Sequence, residues 1–281
     1  MKQIFPETTS GLLQYEIAEG VTAFSPLRNA VLPMHVVQAH QVHGDRIATV
    51  TSGNLDRTRL EGYDALVTDI PGIAIAARTA DCIPVLMYDP VHRAIAAVHS
   101  GWKGTVLKIA QKTIELMADL YGTLPKDIFA VIGPGIGPDS FQVGREVTEA
   151  FLSAGFPEKW TPDFPQGHTR TRTSPVPHKG HTPRNLQADP SAAKPMSGPA
   201  AIPPETIPII MDHGPKIPGS MAGGLHIDLW QANRWMLTEA GVPDDRVFIS
   251  GIDTYTNTCF FSARREGASC GRTINTIMLD P

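Results

Sequence analysis

Two histidines and a cysteine stand in short motifs whose side chains suit a transition-metal ion. Cys82 and His99 lie in the block TADCIPVLMYDPVHRAIAAVHSGWKG, and His43 lies in AHQVHGD. Thiolate sulfur and imidazole nitrogen are common zinc ligands, and three protein ligands with an open fourth position are typical of a catalytic site. His40 and His35 are alternative third ligands in the same stretch. The residue types therefore predict one catalytic metal ion, with zinc favoured over copper.

The spacing of Cys82 and His99 fits a β-hairpin. The tetrapeptide DPVH at 89–92 is predicted to form the turn, because proline has the fixed φ that suits the second position of a type I turn. Tyr88 would then pair with Arg93, and the same register places Cys82 directly opposite His99. Opposite residues in an antiparallel pair have Cβ atoms about 4.5–5.5 Å apart. A thiolate and an imidazole at that separation can share one zinc ion.

Polar residues near these ligands are candidates for catalysis or substrate binding. Asp81 could orient a ligand histidine or act as a base, Lys103 lies where a helix N-terminus could bind an anion, and Arg264 could reach a polar substrate. Each has a structural alternative, since strand-end carboxylates cap loops and surface cations are usually solvated. We also expect substrate contacts from three further residues, Arg28, Gln41 and Trp102.

Short apolar runs bounded by Gly, Pro and Asp predict the strands that position these residues. We interpret five runs as strands of one sheet, at 46–50, 73–78, 84–88, 93–98 and 128–132. Three later strands are predicted at 246–250, 258–263 and 272–278. Strands and helices do not alternate regularly, so the sequence indicates an α+β or mixed α/β fold, in which a mixed sheet is flanked by helices.

Three helices are predicted from apolar periodicity and from capping residues. The first spans 105–121, with Thr105 as N-cap and Gly122 just past its end. The others span 145–153 and 228–240, and the last begins at Asp228 as N-cap and stops at Gly241. These helices are expected to pack on the sheet.

The stretch 161–224 differs in composition from the rest of the chain. It contains about half of the 25 prolines and one aromatic residue, Phe164. A segment so poor in large apolar side chains cannot offset its ordering entropy by burial. We therefore expect a Pro-rich surface insertion or flexible loop within a single enzyme domain that spans residues 1–281.

Composition excludes several classes of protein. The chain has 281 residues, 42% of them hydrophobic, which is enough for a substantial core. Three cysteines are too few for a disulfide framework, and no secretory leader or membrane-spanning run is present, so we expect a cytoplasmic protein. The net charge is −4, with interspersed signs, which argues against nucleic acid as a partner. We expect a small-molecule substrate and a monomer or homodimer.

A series of motifs resembles the laccase-domain family. In chain order they are AHQVHGD, DALVTD, TADCIPVL, AAVHSGWKGT, IGPGIGPDSFQVGREV, DLWQAN, DTYTN, FFSARREG and GR. The resemblance covers roughly residues 38–155 and 225–278. It implies that the family's metal ligands fall on His43, Cys82 and His99. Members have been labelled multicopper polyphenol oxidases, and they include zinc-dependent purine nucleoside phosphorylases and the bacterial peptidoglycan editing factor.

The resemblance implies a zinc-dependent purine nucleoside phosphorylase that also deaminates adenosine and could cleave methylthioadenosine. An amidase that edits peptidoglycan precursors is the alternative. A copper polyphenol oxidase ranks last, because oxygen reduction by several coppers needs more ordered histidines. A non-enzymatic, metal-stabilised module would need a fourth protein ligand, from Cys259 or Cys270.

The sequence departs from the family pattern in three places. The segment before AHQVHGD is short, so Arg28 is only an approximate equivalent of the family's arginine. Asp253 stands where the family usually has a cysteine, and the insertion at 161–224 is unusually long. None of these differences falls on the three expected metal ligands.

Overall fold

The computed structural model describes residues 2–4, 11–53, 60–157, 210–211 and 224–281. In chain order the strands are β1 (Lys2–Ile4), β2 (Leu12–Glu16), β3 (Val21–Pro26), β4 (Val36–Gln38), β5 (Ile47–Thr49), β6 (Ala65–Thr68), β7 (Ala74–Thr79), β8 (Ile83–Asp89), β9 (Ala94–Ser100), β10 (Phe129–Ile132), β11 (Gln142–Val143), β12 (Ile210–Met211), β13 (Leu225–Ile227), β14 (Val247–Ile249) and β15 (Thr273–Leu279). The α-helices are α1 (Trp102–Val106), α2 (Ile109–Tyr121), α3 (Arg145–Ser153), α4 (Leu229–Glu239) and α5 (Ala263–Glu266).

The strands form mixed sheets. The first sheet has the order β1-β2-β3-β15-β7-β4, the second β14-β10-β8-β9-β6-β5, and a small third sheet β11-β13-β12. Most pairs are antiparallel, but β4 with β7, β5 with β6 and β10 with β14 are parallel. The expected mixed α/β class is confirmed, with helices packed beside the sheets.

The central hairpin of the second sheet, β8 with β9, is buried on both faces. On one face, residues such as Val85 and Val98 pack with Ile109 and Met117 of α2. On the other face, Leu86 and its neighbours pack in a cluster that includes residues of the first sheet. Burial on both sides explains why these strands read as continuous apolar runs. His99 continues the series Ile95 and Ala97, whose side chains lie on the face toward the first sheet.

The five predicted strands are found, but the prediction that they share one sheet is wrong. The strand predicted at 73–78 is β7, which pairs with β4 and β15 in the first sheet. The other four belong to the second sheet. Periodicity shows that a segment is buried as a strand, whereas the identity of its partner depends on long-range packing.

The predicted hairpin is present with a different register. Tyr88 pairs with Ile95 rather than Arg93, so His99 lies opposite Pro84 and not opposite Cys82. The last pair is Asp89 with Ala94, so the connecting residues are 90–93 and not 89–92. Two local features accompany this shift. The Asp89 carboxylate accepts hydrogen bonds from the backbone N–H groups of the turn, and Arg93 has a left-handed φ of 50°. A shift of two residues preserves the alternation of side chains between the two faces.

The predicted helix at 105–121 is broken into α1 and α2. Lys108 has a left-handed φ of 59°, which interrupts the helix between its two parts. Thr105 is not the N-cap, because its hydroxyl donates to the carbonyl of Gly101, one turn earlier, and Gly101 itself precedes α1. The predicted end is confirmed, since Gly122 caps α2 with φ 76°.

The strand predicted at 258–263 is wrong. The chain there forms turns and then α5, whose N-cap Ser262 accepts a hydrogen bond from the backbone N–H of Arg265. The Arg265 guanidinium donates to the carbonyls of Thr254, Tyr255 and Phe260, and so holds this segment in a non-extended shape.

The remaining predictions have mixed outcomes. The helices at 145–153 and 228–240 and the strands at 246–250 and 272–278 are confirmed, and Asp228 caps α4 as expected.

The predicted insertion at 161–224 lies outside the described residues, apart from 210–211 and Gly224. Within the described part of the chain, no helix combines the length and apolar character needed to cross a membrane.

Candidate metal centre

The structure brings His43, Cys82 and His99 together. His43 comes from the loop between β4 and β5, Cys82 immediately precedes β8, and His99 is near the end of β9. Their ligand atoms all lie within 4.8 Å of one another. The two imidazole rings meet edge to face, with centroids 4.8 Å apart. Three residues spread over positions 43 to 99 of the sequence thus form one compact donor set.

Asp64 organises this donor set. Its carboxylate lies 2.8 Å from Nδ1 of His99 and accepts a 2.9 Å hydrogen bond from the backbone N–H of His43. It also accepts from the backbone N–H groups of Val42 and Gly44. A carboxylate on Nδ1 fixes the ring orientation and leaves Nε2 available for a metal. These hydrogen bonds outweigh burial and lower the pKa of Asp64.

The backbone is held in uncommon conformations at the site. His43 has φ 61° and Asp81, beside Cys82, has φ 83°. Such conformations cost about 1–3 kcal/mol for residues other than glycine, and they persist where surrounding contacts impose them. Asp64 supplies those contacts for His43. For Asp81 they come from the hydroxyl of Thr254 and the backbone N–H of Arg264, which donate to its carboxylate at 2.8 and 2.7 Å.

The electrostatics of the site favour a thiolate. Burial opposes ionisation of the Cys82 thiol, but His99 and His43 beside it outweigh burial and lower its pKa to about 6. Burial likewise disfavours the imidazolium form of His99, yet the charges of Cys82 and Asp64 raise its pKa to about 9. The same environment that stabilises a thiolate beside a cation suits a metal cation shared by both residues.

Gly101 leaves the space in which these side chains meet. A Cβ at this position would lie 3.0 Å from Sγ of Cys82 and 3.2 Å from Cδ2 of His43. Its φ of −68° is open to any residue, so the requirement for glycine is steric. A side chain at position 101 would displace the donor atoms.

The donor set fits a transition-metal ion. One thiolate and two imidazoles are the ligand types that zinc takes, and three protein ligands leave a fourth position open. Among the described residues no other group of three or more His, Cys, Asp or Glu side chains converges in this way. Cys259 and Cys270 are free cysteines outside the group. The described residues thus offer three ligands and no fourth one.

A cavity of about 870 Å³ opens beside the three ligands. Three of the residues expected to act on substrate line it, and these are Gln41, Asp81 and Arg264. Gln41 is held there by two hydrogen bonds between its side-chain amide and the backbone of Arg78, at 2.8 and 2.9 Å. Asp81 does not orient a ligand histidine, because Asp64 occupies that position.

Arg28, Lys103 and Trp102 are not part of the cavity lining. Arg28 forms two hydrogen bonds with the carboxylate of Glu266 and lies over the ring of Phe261. The guanidinium group of Arg28 is therefore paired with Glu266 at the end of α5. Lys103 is exposed, and Trp102 packs against the core beside α2.

Sequence reasoning missed three residues of the site. Asp64 is the first residue of the motif DALVTD, which by itself does not indicate a role. Its role depends on the contact with His99, which is 35 positions away in the sequence. Arg78 and Arg272 line the cavity with Arg264, and they come from two different segments of the chain. The signal for Arg272 was the short GR motif, whose role the sequence alone did not indicate.

Comparisons with known proteins give a consistent result. The family model described as multi-copper polyphenol oxidoreductase laccase matches residues 23–174 and 202–280. Purine nucleoside phosphorylase from Bacteroides thetaiotaomicron is 35% identical over 248 residues, which are 86% of this chain and 72% of that protein. Purine nucleoside phosphorylase from Deinococcus radiodurans is 44% identical over 233 residues, which are 83% of this chain and 66% of that protein.

Two further similarities concern a second enzyme activity and the fold. Adenosine deaminase RL5, from an unknown prokaryotic organism, is 33% identical over 86% of this chain and 74% of its own length. The crystal structure of YlmD from Geobacillus stearothermophilus superposes with a TM-score of 0.71 at 22% identity, and each chain is covered completely. The expected family is confirmed: this chain belongs to the multi-copper polyphenol oxidoreductase laccase family.

Proposed function

We propose that this protein is a zinc-dependent purine nucleoside phosphorylase that also deaminates adenosine. The observation that carries the proposal is the cavity of about 870 Å³ that opens directly on His43, Cys82 and His99. Its volume is in the range of small-molecule sites. Relatives that match most of the chain are named for these two activities.

The three ligands would hold the zinc ion, and Asp64 would fix the orientation of His99. A zinc ion with an open coordination position supplies a Lewis acid and lowers the pKa of water. Deamination at adenine C6 by an activated water is an established use of that chemistry. The cavity walls would place the nucleoside against this position.

Asp81 is our candidate for the group that moves a proton. Each of its carboxylate oxygens accepts one hydrogen bond, from Thr254 and from the backbone of Arg264. A carboxylate oxygen has two acceptor sites, so each can still accept a hydrogen bond from the substrate or from water. Its place in the cavity lining, next in sequence to Cys82, suits proton transfer near the metal.

Two alternatives have less support from the described residues. Copper-dependent polyphenol oxidation requires several coordinated coppers, and the described residues offer a single convergent donor group. A structural metal would require a fourth protein ligand, and neither Cys259 nor Cys270 joins the three donors. An open coordination position favours catalysis.

The proposal is tested by incubating zinc-loaded protein with adenosine, with and without inorganic phosphate, and separating the products by chromatography. We expect inosine in both conditions, and free base with ribose 1-phosphate only when phosphate is present. Protein from which zinc has been removed by a chelator is the matched control. Absence of all these products from fully metallated protein would overturn the proposal and would favour the peptidoglycan-precursor amidase.

A further inference from the structure

Three arginines from separate elements line the same cavity as the metal ligands. Arg78 belongs to β7, Arg264 to α5, and Arg272 immediately precedes β15. Asp81 is the one carboxylate among the described residues of the lining. Among the described residues of the lining, arginines therefore outnumber carboxylates by three to one.

Two of these guanidinium groups have no carboxylate partner among the residues that the structure describes. Arg264 donates to the backbone carbonyl of Gln142, and Arg272 donates to the carbonyls of Ala268, Cys270 and Gly271. These acceptors are uncharged. In the described part of the chain, no carboxylate oxygen lies within 4.0 Å of the guanidinium nitrogens of either residue.

The neighbouring arginines show the opposite arrangement. Arg28 and Arg265 both pair with the carboxylate of Glu266, and the hydrogen bond from Arg28 lowers the pKa of that carboxyl to about 2. The segment around α5 thus neutralises the arginines that point away from the cavity. It leaves the charge of Arg264 available inside the cavity.

The unused donors match a phosphate anion. A guanidinium group has five N–H donors in a planar fork, and it binds phosphate oxygens in pairs. Arg264 uses one of these donors in the described structure. The carboxylate of Asp81 accepts from Thr254 and from the backbone N–H of Arg264, and none of the described hydrogen bonds joins it to the guanidinium group of Arg264.

We propose that Arg78, Arg264 and Arg272 form the binding subsite for inorganic phosphate. The proposal rests on the proposed function, because a nucleoside is uncharged and phosphate is the anionic co-substrate of phosphorolysis. An oxygen of the phosphate held there would form a bond to ribose C1′ as the bond between C1′ and purine N9 breaks. The hydrogen that monohydrogen phosphate loses would end on the leaving base, and the products would be free purine and ribose 1-phosphate. Deamination uses water instead and does not need the subsite.

Arg264→Gln and Arg272→Gln test the subsite by separating the two reactions. For each variant we expect the KM for phosphate in phosphorolysis to rise at least about tenfold, which corresponds to about 1.4 kcal/mol. Adenosine deamination without phosphate should fall by a smaller factor than phosphorolysis in both variants, because its nucleophile is water. Lys126→Gln removes an exposed cation outside the cavity and is the matched control. An unchanged KM for phosphate, or an equal loss of both reactions, would overturn the subsite.

Binding of inorganic phosphate to the zinc-loaded protein provides a readout other than activity. By calorimetry, we expect binding to the wild-type protein and at least tenfold weaker binding to Arg272→Gln. If phosphorolysis occurs but phosphate affinity does not depend on these arginines, the subsite fails and the proposed function stands. If phosphate binds through the arginines but no nucleoside is cleaved, the proposed function fails and the subsite stands.

Cys270 provides a local probe of occupancy. It lines the cavity, and its Sγ lies 3.4 Å from Nη1 of Arg272, whereas Cys259 is exposed and outside the lining. Inorganic phosphate should therefore slow alkylation of Cys270 by iodoacetamide and leave Cys259 unaffected. Mass spectrometry of the peptides, with chloride at equal ionic strength as the reference, measures both rates. Equal rates at Cys270 with and without phosphate would contradict the proposed position.

Discussion

The carboxylate of Asp64 lies 2.8 Å from Nδ1 of His99, and both side chains are almost completely buried. The same carboxylate accepts from the backbone N–H of His43. One buried group therefore orients one of the proposed metal ligands and fixes the loop that carries another. This arrangement makes Asp64 the strongest candidate for a residue that determines metal affinity without binding the metal.

Asp64→Asn should lower zinc affinity by about 10- to 100-fold, the usual effect of losing a hydrogen-bond partner of a metal ligand. An amide presents one accepting oxygen and one donating nitrogen, so it cannot serve His99 and the N–H groups of the His43 loop together. Competition with a chromophoric chelator measures the affinity.

Asp81→Asn is the matched control for that variant. Asp81 neighbours Cys82 in the sequence but makes its hydrogen bonds to Thr254 and Arg264, away from the histidines. Asparagine also tolerates the left-handed φ at this position. Zinc affinity should therefore change by less than about threefold. A loss as large as that of Asp64→Asn would refute the special role of Asp64.

Cys82→Ala should abolish stoichiometric zinc binding and leave a folded protein. The two remaining imidazoles make a weak site, and three ligands with an open position are not expected to support the fold as a structural zinc does. Metal analysis after dialysis and circular dichroism give the two readouts. Cys259→Ala, at an exposed position outside the donor set, should keep its zinc. Full metal content in Cys82→Ala would show that the ligand assignment is wrong.

Gly101→Ala should weaken zinc binding through a steric effect alone. The added methyl group would lie 3.0 Å from Sγ of Cys82, closer than ordinary contact allows, so the donor atoms must move. We expect at least a tenfold loss of affinity. Gly53→Ala is the control, since the nearest atom that its Cβ would meet among the described residues is Oγ1 of Thr51, 3.9 Å away. Equal affinities in the two variants would contradict the close packing of the site.

Asp228 should make stability depend on pH. Burial at the N-cap of α4 raises its pKa from 3.8 to about 6. Between these values the folded state holds a proton that the unfolded state has released. The resulting contribution to stability is fully present below pH 3.8 and is lost as the pH rises through about 6.

Asp228→Asn should remove this pH dependence. Asparagine caps a helix about as well as aspartate and carries no charge to desolvate. At pH 7 we therefore expect the variant to be more stable by roughly 1–3 kcal/mol, with little difference near pH 4. Urea unfolding at both pH values provides the measurement. A variant that is less stable at pH 7 would show that the charge of Asp228 is stabilising.

The sequence predicted the metal-ligand cluster better than it predicted the hairpin that forms it. The register was wrong by two residues because the turn depends on the Asp89 side chain and on the left-handed φ of Arg93. The alternation of faces survives a shift of two, so His99 and Cys82 keep the same position in the alternation although they are not opposite each other. Side-chain periodicity is a local property, and it was predicted correctly.

The composition of the cavity could not be predicted in the same way. Arg28 and Lys103 were chosen as sources of positive charge because they stand near informative motifs, whereas the structure lines the cavity with Arg78 and Arg272. Which of several arginines faces a cavity depends on how the sheets pack and on which carboxylates neutralise the others. Glu266, which pairs with Arg28, is distant in sequence and gave no signal.

The central claim is that one metal ion at His43, Cys82 and His99 supports the chemistry. The most direct test is a titration of metal-free protein with zinc while the conversion of adenosine to inosine is followed. We predict no activity at the start, a linear rise, and saturation at one equivalent of zinc per chain. Full activity in the metal-free protein, or a rate that keeps rising over several equivalents, would contradict the account.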